Sequence, residues 1–459
     1  MNGLEKLFTP KSIAVIGASR TPGKIGYEIL SNLMEYGFPG KIYPVNPRAT
    51  EIRGLKVYPS VTEIPDEVDM AVIAVPAAIV PKVIEECGKK GVKVVVVISS
   101  GFKEVGNADL EEKIVEIARK YGMRLLGPNI FGVLYSPSKM NATFGPTEVI
   151  PGKIAFISQS GALGIALMGW TVLEKIGLSA VVSLGNKADI DDADLIDFFG
   201  QDENTTLILI YMEGIKRARE FMKIAKKVSL KKPIIVLKAG RSERGVKAVA
   251  SHTGSLAGSD TIYSAAFKQC GILRAMNVEE AFDWARALAY LPEPSGENTV
   301  IITNGGGLGV MATDAAQDYG VQLLDPPEDL MDKFRKHMPP FGSPRNPVDL
   351  TGQATEKEYH GAILDALNDP RVHSVIVLYC ETAVADPVKV AEAIIKAKEE
   401  AGAEKPVVAA FIGGEKTFKA IHLLNENKVP TYPVAERAVS ALAALLKWSR
   451  WKKKVKKED

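Results

Sequence analysis

An α/β fold is predicted, with three Rossmann-like or flavodoxin-like parallel-sheet domains in series, and three observations predict it. Short runs rich in Val and Ile alternate with stretches of helical period, the pattern of parallel strands covered by helices on both faces. The chain has 459 residues, too many for one ordinary core at roughly 100 to 200 residues per domain. Three segments open alike: Ile13-Ala-Val-Ile-Gly-Ala-Ser, Ile154-Ala-Phe-Ile-Ser-Gln-Ser-Gly and Val300-Ile-Ile-Thr-Asn-Gly-Gly-Gly. Each reads as a strand, a turn of small residues and a helix. That geometry aims free N–H groups and the positive end of a helix dipole at whatever lies above the strand, so three candidate anion sites follow.

The first domain, expected over 1–135, reads strand 12–17, helix 24–37, strands 41–45 and 70–75, helix 79–90, strand 93–98 and helix 109–121. Weak periodicity and three prolines over 136–151 mark a boundary. The second, over 150–292, has strands 153–158, 206–212 and 233–238, and ends near Pro292, Pro294 and Gly296. The third, over 297–459, has strands 299–303, 374–379 and 406–411.

Lys plus Arg number 57 against 55 Asp plus Glu, so no global field selects nucleic acid, and selectivity has to be local. Cys87, Cys270 and Cys380 have no zinc or disulfide spacing, which suits a reducing cytoplasm and leaves no metal site. Residues 1–10 lack the pattern of a signal peptide, and no long apolar run reads as a membrane span. The basic end, 447–459, with Trp448 and Trp451, reads as a solvated helix end or a docking surface.

The first turn, Gly17-Ala-Ser-Arg-Thr-Pro-Gly-Lys-Ile-Gly26, is near two phosphate motifs and matches neither. A P-loop needs Ser or Thr after its lysine, and Ile25 follows Lys24. A dinucleotide fingerprint ends its second strand on an acid, whereas this one ends Val45-Asn-Pro-Arg48. Arginine there suits a ribose phosphate, leaving CoA or NADP, or a tight turn with no ligand. The second turn, Ser158, Gln159, Ser160, Gly161 and Ala162, offers backbone N–H groups to a phosphate. The third, Asn304, Gly305, Gly306 and Gly307, has more glycine than a packing turn needs.

The most distinctive stretch is Val249-Ala-Ser-His-Thr-Gly-Ser-Leu-Ala-Gly-Ser-Asp260, read as a loop of small and hydroxyl residues around one histidine. Imidazole is a good nucleophile near neutral pH, although a lone histidine is also a common surface residue. The other histidines have no ligand spacing to it. Glu213 follows the strand over 206–212 at a carboxyl edge, where it either orients the imidazole or is a solvated acid.

Taken together these residues resemble the α subunits of the archaeal ADP-forming acetyl-CoA synthetases, in the wider superfamily containing succinyl-CoA synthetase, over nearly the whole chain. The resemblance implies CoA contacts at Ser19, Arg20, Thr21, Pro22, Arg48, Val75, Pro76, Ile98, Ser99 and Ser100. It places Asn129, in Gly127-Pro-Asn-Ile-Phe-Gly, close to the reacting thioester, with no thiol role at Ile130. It makes Ser251-His-Thr-Gly254 a phosphohistidine loop with His252 as carrier and Glu213 in support. Residues 158–162 and 304–307 become helix N-termini flanking the phosphoryl group. The reaction implied is reversible: acyl-CoA, phosphate and ADP give acid, CoA and ATP, through an acyl phosphate. An ATP-grasp domain is expected on a separate β subunit, in an α2β2 assembly, with ADP or ATP and Mg2+ bound there. A succinyl-CoA synthetase is disfavoured by the third domain. A non-enzymatic CoA or acyl-CoA sensor and an NADP-dependent dehydrogenase are the rival readings, the latter lacking a Tyr-Lys or His-acid pair.

Overall fold

The computed structural model describes the backbone of residues 3–253, 259–402 and 404–458, and their side chains except 250–253 and 458. It divides into two compact units, Met1–Arg274 and Ala275–Asp459.

The first unit begins with α1 (Glu5–Phe8), β1 (Ser12–Ile16), α2 (Ile25–Glu35), β2 (Lys41–Val45) and a small hairpin of β3 (Glu51–Ile52) and β4 (Leu55–Lys56). It continues through β5 (Met70–Ile73), α3 (Val80–Lys90), β6 (Val94–Val97), α4 (Ala108–Lys120) and β7 (Arg124–Leu126). Then come β8 (Gly132–Tyr135), β9 (Met140–Thr143), β10 (Pro151–Ser158), α5 (Gly161–Leu173), β11 (Leu178–Ser183), α6 (Asp192–Gln201) and β12 (Leu207–Met212). The unit closes with α7 (Ala218–Ser229), β13 (Ile234–Lys238), α8 (Glu243–Thr253), α9 (Asp260–Cys270) and β14 (Leu273–Ala275).

Its first sheet is parallel, in the order β2-β1-β5-β6-β7. Every residue of β1, β5 and β6 is buried, as strands covered on both faces must be. Its second sheet runs β14-β13-β12-β10-β11-β8-β9. Two differences from the sequence expectation bear on the site. Strand β9 in the weakly periodic stretch and β8 just before it form an antiparallel pair that extends the second sheet beyond β11. They are too short to show a period, and their burial comes from pairing. Residues 249–253 are the last turn of α8 rather than loop, continuing a helix whose earlier turns hold the good helix formers Glu243, Arg244, Lys247 and Ala248.

Several contacts join the two sheets of this unit. Phe8 stacks on Phe198 with ring centroids 4.2 Å apart and meets Tyr135 edge-on at 5.4 Å. Asn32 on α2 donates to the carbonyls of Thr143 and Gly145 at 2.8 and 2.9 Å. Arg124 pairs with Asp189 at 2.9 Å.

The second unit runs through α10 (Val278–Tyr290), β15 (Thr299–Thr303), α11 (Gly306–Tyr319), α12 (Glu328–Arg335), β16 (Val348–Asp349), α13 (Glu356–Asn368) and β17 (Ser374–Cys380). It ends with α14 (Pro387–Ala401), β18 (Val407–Ile412), α15 (Glu415–Glu426), β19 (Thr431–Tyr432) and α16 (Ala435–Glu458). Its parallel sheet has the order β16-β15-β17-β18-β19. Helix α10, within the stretch expected to end the second domain, packs here on α16. Trp284 Nε1 donates to Ser440 Oγ at 2.9 Å, and the Arg437 guanidinium forks onto Asp283 at 2.6 and 2.7 Å. The basic end of α16 is tied down in part. Lys452 pairs with Glu293 at 2.5 Å, Arg450 with Glu297 at 2.8 Å, and Lys453 donates to the carbonyls of Pro294 and Ser295.

Candidate functional site

Among the parallel strands of each sheet, the first in chain order lies between the second and third (β1 between β2 and β5, β10 between β11 and β12, β15 between β16 and β17), so chain direction around the sheet reverses beside it. Open α/β sheets leave a crevice at the carboxyl edge of such a switch point. All three small-residue turns leave their strands there. In the first sheet, the turn after β1 lies against Ala74 and Val75, which follow β5. Gly17 has φ +92, and a Cβ on it would stand 2.3 Å from the Ala74 carbonyl oxygen. A Cβ on Gly26 would meet the Gly17 carbonyl oxygen at 2.0 Å, so this turn requires glycine at both ends.

A cavity of about 630 Å3 opens beside that switch point, and its wall joins both sheets of the first unit. From the first sheet come Val75, Pro76, Ile98, Ser99 and Ser100; from the second come Gln159, Ser160, Gly161 and Ala162; Asn129 lies between them. Ser99 holds this edge together: its hydroxyl donates to the Val75 carbonyl at 2.5 Å, and its own carbonyl accepts the Asn129 N–H at 2.9 Å. Ser158 is fully buried beneath the cavity, where its hydroxyl donates to the Ser160 carbonyl at 2.8 Å.

Five expected CoA contacts do not reach this wall. Ser19, Arg20, Thr21, Pro22 and Arg48 sit on loops at the edge of the first sheet, where Arg20, Thr21, Pro22 and Arg48 are exposed. Arg20 Nε donates to the Glu51 carbonyl at 3.1 Å, and the Arg48 N–H to Asn46 Oδ1 at 2.8 Å.

Glu213 follows β12 at the next switch point and is buried. Its N–H donates to Gln159 Oε1 at 2.7 Å, and that of Gly214 to the same oxygen at 3.1 Å. Gln159 Nε2 donates in turn to Asp192 Oδ1 at 2.8 Å and the Gly214 carbonyl at 3.0 Å. Asp192 pairs with the buried Lys187 at 2.7 Å, and Lys187 also donates to the Gly214 carbonyl at 2.6 Å. The turn over 158–162 and the Glu213 turn are therefore one hydrogen-bonded assembly. Burial, with the Glu213 carboxylate beside it, pushes the Tyr211 phenol up to about 12. The backbone of residue 252 lies in the last turn of α8, while its side chain and the segment 254–258 lie outside the described residues.

In the second unit, Asn304 is buried after β15. Its Oδ1 accepts the Cys380 N–H at 2.8 Å and its Nδ2 donates to the Cys380 carbonyl at 2.9 Å, joining the turn to β17. Gly305, Gly306 and Gly307 open α11, which like α5 has no acidic residue in its first turn. A Cβ on Gly306 would stand 3.0 Å from an Asp349 carboxylate oxygen.

Sequence reasoning missed Phe131, Phe144, Ile165 and Asn186 in the cavity wall. Asn186 Nδ2 donates to Glu104 Oε2 at 2.6 Å and Glu111 Oε2 at 2.7 Å, and its Oδ1 faces Asn129 Nδ2 at 3.4 Å. Burial pushes Glu104 up, but bonds from Asn186 and the N–H groups of Gly101 and Phe102 take it below the usual range. Only the side-chain type was a signal. Among the described residues, no group of three or more His, Cys, Asp or Glu could hold a metal ion, and no helix is long and apolar enough to cross a membrane.

Family models match in the order of the sheets. A CoA binding domain covers residues 11–136, a succinyl-CoA ligase like flavodoxin domain 151–288, and a ligase-CoA domain 299–456. The class so defined is a CoA ligase subunit built from several α/β domains.

The chain belongs to the family of the ADP-forming acetate–CoA ligase α subunits. It is 67% identical to the acetate–CoA ligase [ADP-forming] I subunit alpha of Pyrococcus furiosus over 99% of this chain and 100% of that one. It is 45% identical to the acetate–CoA ligase [ADP-forming] of Methanocaldococcus jannaschii, over 98% of this chain but 64% of that longer one. Among solved structures it superposes on the acetyl-coenzyme A synthetase 1 of Ca. Korarchaeum cryptofilum, in complex with phosphate and ADP. That match has a TM-score of 0.98 at 56% identity and covers 100% of this chain and 99% of that one.

Proposed function

We propose that this chain binds acyl-CoA in the cavity of its first unit, forms an acyl phosphate there, and carries the phosphoryl group on His252 to ADP. One observation carries the reading: Val75, Pro76, Ser99 and Asn129 share a single cavity with the Gln159–Ala162 turn, so a thioester and a phosphate fit side by side. Arg20 and Arg48 on the exposed edge of the same sheet suit the phosphates of CoA.

In the mechanism a phosphate oxygen attacks the thioester carbonyl carbon and the C–S bond breaks. CoA leaves as the thiolate and takes a proton. An imidazole nitrogen of His252 then attacks phosphorus, the P–O bond to the acyl group breaks, and the free acid departs. Transfer from His252 to ADP restores the imidazole and yields ATP. Glu213 supports the imidazolium, and the N–H groups opening α5 offset charge on the phosphoryl group. A separate ATP-grasp β subunit, in an α2β2 assembly, binds ADP with Mg2+ in the cytoplasm. The α-subunit name of the Pyrococcus relative and the greater length of the Methanocaldococcus one support such a partner.

The test uses the chain with its partner. His252→Ala is expected to lower ATP formation from acetyl-CoA, phosphate and ADP at least about a thousandfold. Full activity in that variant contradicts the carrier role.

A further inference from the structure

Lys238 ends β13 on a charge after four apolar residues, and is 2% exposed. Strand register puts it level with Met212, so it stands beside Glu213 at the carboxyl edge. A buried ammonium normally has a carboxylate partner. Among the described residues none lies within 4 Å of its Nζ. The Ala239 carbonyl accepts one bond, and the Tyr263 ring lies beneath at 4.5 Å. The acid that most favours its charged form, Asp260 on α9, is already taken by Arg274. Arg274 itself disfavours the charged form, and Glu213 and Lys187 act more weakly, with opposite signs. Burial, opposed by Asp260, holds Lys238 down at about 8. Val249 of α8, three residues before position 252, packs over Gly240, two residues beyond Lys238.

We infer that Lys238 is a phosphoryl-binding cation, which takes an oxygen of the phosphoryl group carried at position 252 and is left without a carboxylate partner for that purpose. The inference rests on the phosphohistidine reading above. It accounts for a buried charge that packing alone does not need, since an apolar side chain would cover Tyr263 as well.

The experiment incubates the full chain with 32P-acetyl phosphate and follows acid-labile label at residue 252 from pH 6.5 to 9.5, for wild type, Lys238→Met and Lys238→Arg. Labelling of the wild type should fall as pH rises through about 8, where the ammonium loses its proton. Lys238→Met should label at least about tenfold more slowly at pH 7, without that step. Lys238→Arg, charged throughout, should keep labelling above pH 9, and it carries the test if the methionine variant does not fold. Equal rates and profiles in all three overturn the inference and leave Lys238 as packing for Tyr263. An unlabelled wild type overturns the phosphohistidine reading itself, so the two failures are distinct.

Discussion

Gln159 shows how one side chain fixes two turns. Its oxygen accepts from Glu213 and Gly214, and its amide donates to Asp192 and back to Gly214, so its hydrogen-bonding capacity is almost filled. Gln159→Glu puts a second carboxylate 2.8 Å from Asp192 and removes the donor between them. It should destabilise the first unit by about 2 to 4 kcal/mol, read by urea denaturation. A loss under about 0.5 kcal/mol would show that the two turns are not coupled through it. Lys238 gives a pH prediction of opposite sense. Because its folded value lies below that of the unfolded chain, its charge opposes folding fully below about pH 8, and the penalty fades as pH rises toward the unfolded value near 10.5. Lys238→Met should therefore melt higher than wild type at pH 7, with the gap closing above pH 8. At this scale legibility was uneven. Gln159 was visible because it sits inside a small-residue turn. Asn186 was not, since Glu111 and Glu104 lie 75 and 82 residues away and only folding brings them to it.

At the scale of elements, the three strand-turn-helix openings were readable because each requires small residues for a geometric reason. Gly26 is the sharpest case. Gly26→Ala would drive a methyl into the Gly17 carbonyl and should destabilise the chain by about 2 to 3 kcal/mol while weakening CoA binding, seen by thermal melting and by calorimetric titration. An unchanged melting temperature would mean that α2 can move away from the turn. What escaped reading had no local cause. Strands β8 and β9 have four residues each and exist because β11 offers an edge to pair with. Residues 249–253 look like loop by composition, yet they continue a helix whose earlier turns decide their state.

At the scale of the whole molecule, one topology appears three times, and each copy places its turn at the switch point of its sheet. The repeated opening motif made the fold class legible, and the switch points of the first unit explain why its cavity is lined by residues that follow β5 and β10. Burial at α10 was not legible, because Trp284 and Asp283 meet partners more than 150 residues further along. The partner prediction also belongs here. The chain alone should cleave acetyl-CoA with phosphate only to the extent of the chain present and form no ATP, whereas adding the β subunit should give sustained ATP formation. Turnover of nucleotide by the chain alone would remove the need for a partner.

The central claim is that residue 252 carries phosphate, and direct detection of the modification tests it most simply. The full chain is treated with acetyl phosphate, and the site of acid-labile, base-stable phosphate is mapped by peptide mass spectrometry. Phosphate at residue 252 in the wild type, and none in His252→Ala, is the predicted result. Label elsewhere, or equal label in both proteins, would contradict the account.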